Sequence, residues 1–195
     1  MKLLHLDSSI LGDNSASRAL SAAIVARWRG DMPGLEVLHR DLAGEHALPH
    51  LDGASLAKVD PTEAARSARA LEDFLAADVI VLGAPMYNFG IPSQLKAWID
   101  RVMVAGRTFR YTAEGPQGLA GGRKVIVAAT YGGQHPVESG RNFVGPYLRQ
   151  VFGFIGIDDI EFIGAEGLNI SPEQRTVALE AAQQRIDAIA LPLAA

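Results

Sequence analysis

Three short stretches of this chain carry side chains that a solvent loop does not need. The first is Asp7-Ser8-Ser9 through Ser17, rich in hydroxyls, with Gly12 to let the backbone bend and a helical pattern following. Free N–H groups at a helix start, with hydroxyls beside them, can hold a phosphate with little help from a cation. Ser9, Ser15 and Ser17 are the candidates there; Ser15 and Ser17 equally suit simple helix capping. The second stretch is Met86-Tyr87-Asn88-Phe89. It offers a soft thioether, two aromatic rings and an amide, which suit a flat heteroaromatic ligand with polar edges. Met86 and Phe89 also suit a core or a subunit contact. The third is Thr130-Tyr131-Gly132-Gly133, where the glycines let backbone approach a ligand closely or simply turn the chain.

The elements that position these stretches follow from the apolar pattern. Lys2–Leu6, Glu36–Leu42, residues 79–83, Lys124–Ala129 and Asp159–Ile163 read as strands. Helices are predicted over Ser17–Arg29, from Pro61 to about Ala77, over 92–105, from about Phe143 to Ile155, and from Pro172 to about Ala190. Asp60 and Ser171 are their clearest N-caps, each followed by proline at the first helical position. Residues 43–60 show no period and read as loop; residues 106–122 read as a small hairpin or extended excursion. Strands alternating with helices imply an α/β fold, with a doubly wound five-stranded parallel sheet of order 2-1-3-4-5. Its switch point lies between the first and third strands, where open sheets bind ligands, and the three chemical stretches follow the first, third and fourth strands.

Composition narrows the chemistry. The chain has 195 residues, expected to form a single domain over 1–195, and a net charge of −4 without a dense basic run, so nucleic acid is not an expected partner. It contains no cysteine, which removes thiolate catalysis, disulfides and cysteine-ligated metals. No apolar run approaches the ~18 residues of a membrane span, and the opening apolar run is broken by Asp7, so a cytoplasmic protein without a membrane partner is expected. His5, His39, His46 and His50 show no metal-ligand spacing on one element, no metal is expected, and no catalytic triad or carboxylate pair stands out. A phosphate loop and ring-binding loops without catalytic side chains suggest that a cofactor does the chemistry. FMN matches: one monophosphate, one ribityl chain, one flat isoalloxazine.

Together the motifs LDSSILGDNSASR (6–18), APMYNFGIPSQLKAWID (84–100), TFRYTAEGPQGL (108–119), the GG-to-His run (132–135) and FGFIGI (152–157) identify a resemblance. The chain resembles the FMN-dependent NADH-azoreductases, a flavodoxin-like family related to the NAD(P)H-quinone reductases. The resemblance implies FMN contacts from Ser9, Ser15, Ala16 and Ser17 at the phosphate, from Met86, Tyr87, Asn88 and Phe89 at the ribityl and ring, and from Thr130, Tyr131, Gly132 and Gly133 at the ring's polar edge. Family members often carry glutamine where this chain has Ala16, leaving backbone alone to serve there. The third loop varies in the family, and Tyr131 here bears on ring packing or pocket width.

The implied activity is ping-pong transfer of a hydride from NADH, with NADPH as an alternative donor, through FMN to quinones and aromatic azo compounds, with nitroaromatics as further acceptors. FMN carries the chemistry and no side chain is assigned as catalytic. The family also implies a homodimer. Phe109, Tyr111 and His135 are candidates for the pocket or interface; a self-packed hairpin suits Phe109 and Tyr111 equally. The alternative function is a flavodoxin-type electron carrier without its own substrate. Such carriers are usually strongly acidic and keep the flavin edge open, whereas the 106–122 excursion is expected to cover the pocket.

Overall fold

The computed structural model describes residues 1–190; the last five residues of the expected 1–195 domain lie outside the described residues. The chain runs β1 (Lys2–Asp7), α1 (Ala16–Asp31), β2 (Glu36–Asp41), α2 (Gly53–Leu56), α3 (Pro61–Ala76), β3 (Val79–Pro85), α4 (Ser93–Val102), β4 (Phe109–Thr112), β5 (Gly115–Gly118), β6 (Lys124–Thr130), α5 (Val144–Phe154), β7 (Asp159–Ala165) and α6 (Pro172–Asp187). Five strands form a parallel sheet of order β2-β1-β3-β6-β7, while β4 and β5 pair antiparallel outside it. Counted without the hairpin, the sheet strands follow the expected 2-1-3-4-5 order.

Alternation along the strands feeds two cores. Leu4, Leu6, Ile80, Leu82, Val125 and Val127 face the layer of α3, α4 and α5. Leu3, Val79, Val81, Ile126 and Ala128 face α1 and α6. Central strands buried on both sides need apolar residues at every position, and all seven residues of β3 are buried. Edge strand β2 is mostly exposed or half-buried.

Several boundaries differ from the sequence reading, each for a local reason. Residues 43–60 are not all loop: α2 forms within them because Asp52 caps it, accepting from the Ser55 amide at 2.7 Å. The buried Arg101 then pins that segment, pairing with Glu63 at 2.7 Å and donating to the Pro49 carbonyl at 2.9 Å. Helix α4 stops at Val102 rather than near 105 because Thr108 Oγ1 donates to the Val102 carbonyl at 2.8 Å and accepts from the Val104 amide at 3.0 Å. Helix α6 ends at Asp187, although Ile189 beyond it is still buried in the core.

The hairpin sits at the far end of α5. A Cβ added at Gly118 would lie 2.2 Å from the Gly156 nitrogen, so only glycine lets β5 lie against that backbone. The Ala120 amide donates to the Ile155 carbonyl at 2.8 Å, and Phe109 packs edge-on against Phe154. This is the opposite end of the sheet from the loops after β1, β3 and β6.

Candidate functional site

The loops after β1, β3, β6 and β7 meet at the carboxyl ends of the strands and enclose an open cleft of ≈ 460 Å³, its solvent-filled mouth included. Ser9, Leu11, Asn14, Ser15 and Ala16 line one end, Met86 and Tyr87 one wall, and Thr130, Tyr131, Gly132, Leu168 and Asn169 the opposite wall, with Arg175 beside them.

Short polar bonds hold the first loop. Ser8 Oγ donates to the Gly83 carbonyl at 2.6 Å, fixing the loop to β3. Gly12 takes a positive φ of 53°, and a single 3-10 turn over Gly12–Asn14 brings Ser15 to the N-cap of α1. Ser15 Oγ accepts from the Arg18 amide at 3.3 Å and lies 3.0 Å from Ser17 Oγ. The amides of Ala16 and Ser17 open the helix and have no intrahelical carbonyl to donate to. Arg18 anchors the assembly: its guanidinium donates to the Ser9 carbonyl at 2.7 Å and to both oxygens of Asp41 at 2.7 and 2.9 Å. Burial alone would raise the Asp41 carboxyl, but the Arg18 guanidinium and the Ala43 amide outweigh it and hold the group below its ordinary value. Sequence reasoning missed Arg18 because its two partners lie on different elements, Ser9 in the loop after β1 and Asp41 at the end of β2.

The second loop is a tight turn. Tyr87 and Gly90 exchange both backbone hydrogen bonds, at 3.0 and 3.1 Å, and the residues between them, Asn88 and Phe89, have φ of 48° and 71°. Two positive φ values in succession define a type I′ turn, which asparagine tolerates and phenylalanine rarely enters. The turn presents Met86 and Tyr87 to the cleft and leaves Asn88 and Phe89 exposed at its tip. The Tyr87 hydroxyl reaches back to Ser9 Oγ at 3.1 Å.

The third loop is bonded to the loop after β7. The Asn169 amide donates to the Gly132 carbonyl at 2.9 Å, and the Leu168 amide to the Tyr131 carbonyl at 3.1 Å. A Cβ at Gly132 would lie 2.7 Å from Asn169 Nδ2, so glycine is what lets the two loops close together. Tyr131 is buried, and burial pushes its phenol above the ordinary value.

Of the expected contact residues, Ser9, Ser15, Ala16, Met86, Tyr87, Thr130, Tyr131 and Gly132 therefore share one cleft. Ser17 lies buried behind Ser15; Asn88, Phe89 and Gly133 lie outside the lining. His135 stands beyond Gly133, its ring edge-on to Phe89. Within one chain the hairpin does not cover this cleft: Phe109 is packed on Phe154, and Tyr111 is 74% exposed. Leu168, Asn169 and Arg175 were not singled out from the sequence, because only the loop after β7 brings them in. Among the described residues, the Arg175 side chain makes no hydrogen bond or ion pair. Chemically, one end of the cleft offers hydroxyls and free helix amides, and its walls offer a thioether, tyrosine rings and close backbone. These groups fit a phosphate and a flat ring.

A second polar group stands outside the cleft. His5, Asp7 and His39 come together across β1 and β2, with ligand atoms all within 4.8 Å of one another. Ligand spacing sought along single elements could not reveal it, because the two histidines belong to neighbouring strands.

The family model described as a flavodoxin-like fold matches residues 1–190. An "FMN-dependent NADH:quinone oxidoreductase" of Xanthomonas oryzae pv. oryzae is 58% identical over 182 residues, covering 93% of each chain. One of the same description from Rhizobium meliloti is 53% identical, covering 95% of each. Among solved structures, an azoreductase from Bacillus anthracis str. Sterne superposes with a TM-score of 0.81 at 29% identity, covering 97% of this chain and all of its own.

Proposed function

The chain belongs to the flavodoxin-like fold family, and from that premise we propose that it is an FMN-dependent NADH:quinone oxidoreductase that also cleaves aromatic azo compounds. The observation that supports this most is the single cleft whose lining joins the hydroxyl-rich helix start to Met86–Tyr87 and Thr130–Gly132.

FMN, when bound, supplies the redox chemistry, taking two electrons from NADH and returning them to an acceptor that enters after NAD⁺ has left. The protein binds, orients and shields. Ser9, Ser15 and the amides of Ala16 and Ser17 hold the phosphate, with alanine at 16 contributing backbone alone. Met86 and Tyr87 would support the ribityl chain and one side of the ring, with Asn88 and Phe89, outside the lining, approaching it from the turn tip. The backbone of Thr130 to Gly133 would lie along the ring's polar edge; the Tyr131 N–H is given to the Ala165 carbonyl, so the N–H groups of Gly132 and Gly133 would steady negative charge there. No side chain needs to act as a general acid, because solvent supplies the protons. A quinone consumes one NADH and one proton; an azo bond consumes two of each and yields two amines. NADPH as donor and nitroaromatics as acceptors belong to the same reading.

The loops bordering the cleft leave Ile10, Leu11, Phe89, Phe143 and Ile170 exposed. A second copy of the chain would cover them, so the working form is a homodimer of single FMN-binding domains, acting in the cytoplasm. The alternative of an electron carrier without its own substrate is consistent with a cleft the hairpin leaves uncovered within one chain, but the charge is only mildly acidic and the similar proteins are named as oxidoreductases.

The test is an anaerobic titration of the FMN-loaded protein with NADH and then with NADPH, followed by a quinone and a panel of azo dyes. The flavin absorption bleaches with NADH, and the acceptor restores it over many turnovers. A chain that takes up no FMN, or whose flavin neither nucleotide bleaches, overturns the proposal; bleaching without steady quinone turnover points to the carrier.

A further inference from the structure

The cluster on β1 and β2 carries an inference independent of the flavin. The strands run parallel with His5 directly opposite His39, so both side chains leave the same face of the sheet. Asp7 lies two residues beyond His5 and shares that face. Its Oδ2 is 2.9 Å from His39 Nε2, and its Oδ1 is 3.5 Å from His5 Nε2. The two imidazole rings stand 4.7 Å apart, tilted by 46°. His5 and Asp7 are buried, whereas the His39 side chain is 49% exposed and opens the group to solvent.

We propose that His5, Asp7 and His39 form a zinc(II) site, with its fourth position open to solvent beside His39. Zinc binds imidazole nitrogen and carboxylate oxygen at about 2.0–2.2 Å in a tetrahedron, which places ligand atoms about 3.3 Å apart. The two histidines meet different oxygens of Asp7, at 2.9 and 3.5 Å, and the three ligand atoms lie within 4.8 Å of one another, close enough for side-chain rotation to bring them onto one ion. Two imidazoles and one carboxylate suit zinc rather than magnesium or calcium, which prefer oxygen. A supporting shell is already in place. Ser21 Oγ donates to Asp7 Oδ1 at 2.8 Å and orients that ligand; the same hydroxyl lies 2.9 Å from His5 Nε2, so His5 exchanges this hydrogen bond for the ion. Gly83 on β3 leaves room for the carboxylate: a Cβ there would lie 2.9 Å from Asp7 Oδ1.

The place of the site gives it a role. None of the three ligands lines the cleft, so the ion takes no part in electron transfer. Asp7 is, however, the last residue of β1, directly before Ser8 and Ser9. An ion tying Asp7 to His39 joins the base of the phosphate loop to the edge strand. Zinc at this position stabilises the loop that holds the flavin phosphate.

The test uses the untagged, FMN-loaded chain. Calorimetric titration with zinc sulfate gives one equivalent bound in the micromolar range or tighter, with a rise in Tm; magnesium gives neither. His39→Ala weakens zinc at least about tenfold, whereas His50→Ala, altering an exposed histidine elsewhere, leaves it unchanged. Should His39→Ala fail to fold, cobalt(II) added to the wild-type chain decides: a strong visible spectrum of four-coordinate cobalt supports the site. No saturable zinc binding, zinc binding equal in wild type and His39→Ala, or only the pale spectrum of six-coordinate cobalt overturns it. Because zinc is read by heat and by its own spectrum, failure here leaves the flavin assignment untouched.

Discussion

The hydroxyl of Tyr87 stands 3.1 Å from Oγ of Ser9, joining the turn after β3 to the loop after β1 across the head of the cleft. The same hydroxyl accepts from the Ile10 amide at 3.3 Å. Tyr87→Phe keeps the ring and removes both bonds. At about 1 kcal/mol for the lost bonding, FMN affinity falls roughly fivefold, read by quenching of flavin fluorescence, while Tm moves little. An unchanged affinity would mean that the phosphate loop keeps its shape without the tyrosine.

Arg18 and Asp41 make the acid stability of the fold predictable. Asp41 titrates below the ordinary 3.8 in the folded chain, so its contribution is fully present above that value and is lost as pH falls through the depressed folded value. Asp7 behaves alike: burial opposes its charge, but His5, His39 and Ser21 outweigh that and lower it. Wild-type stability therefore declines below about pH 4, and Asp41→Asn flattens part of that decline. Arg18→Met lowers stability at neutral pH by about 1–3 kcal/mol. Urea titrations at stepped pH measure both, and a decline as steep in Asp41→Asn as in wild type argues against the pair.

Phe89 holds a φ of 71° with its ring 49% exposed. A left-handed non-glycine residue costs about 1–2 kcal/mol. Phe89→Gly creates the Asn-Gly pair that type I′ turns favour, and Tm rises by about 2–8 °C. Strain of this kind persists where function needs the side chain, so quinone turnover drops in the same variant. Greater stability with full turnover would show that the ring is dispensable.

Arg175 lines the cleft with Ser15 and Ala16. Arg175→Met removes a cation from the cleft and, if it serves the phosphate, weakens FMN about three- to tenfold, more at low salt than at high. Riboflavin, which has no phosphate, binds both forms alike. Equal losses for the two flavins would place Arg175 against the ring instead.

The legibility of the fold follows from which forces are local. The strands stood out because central parallel strands must be apolar on both faces, as Val79 to Leu82 are. The start of α3 stood out because Asp60 and Pro61 act within one turn, and the Asp60 carboxylate does accept from the Thr62 amide. Helix α2 did not: its Asp52 cap is local, but the segment has only one turn and no apolar period, and Arg101, far along the chain, holds it in place. The cleft was legible as three loops, yet its fourth wall was not, because Leu168 and Asn169 reach it through backbone bonds to Tyr131 and Gly132. Residue types could not show that Phe89 would sit at the tip of its turn; the positive φ of two successive residues decides that. The nearness of His5 to His39 depends on strand register, which no spacing along one strand encodes.

The floor of the cleft is part of the sheet itself: Pro85 is paired with Thr130, and the Met86 amide donates to the Thr130 carbonyl at 2.8 Å. The exposed apolar residues of the rim, Ile10, Leu11, Phe143 and Ile170, carry almost none of that pairing. Rim and floor are thus free to diverge at different speeds under selection. Substitutions at the rim can retune which acceptors are admitted, and how two copies meet, without touching the sheet, whereas substitutions at the floor act on the strand pairing itself.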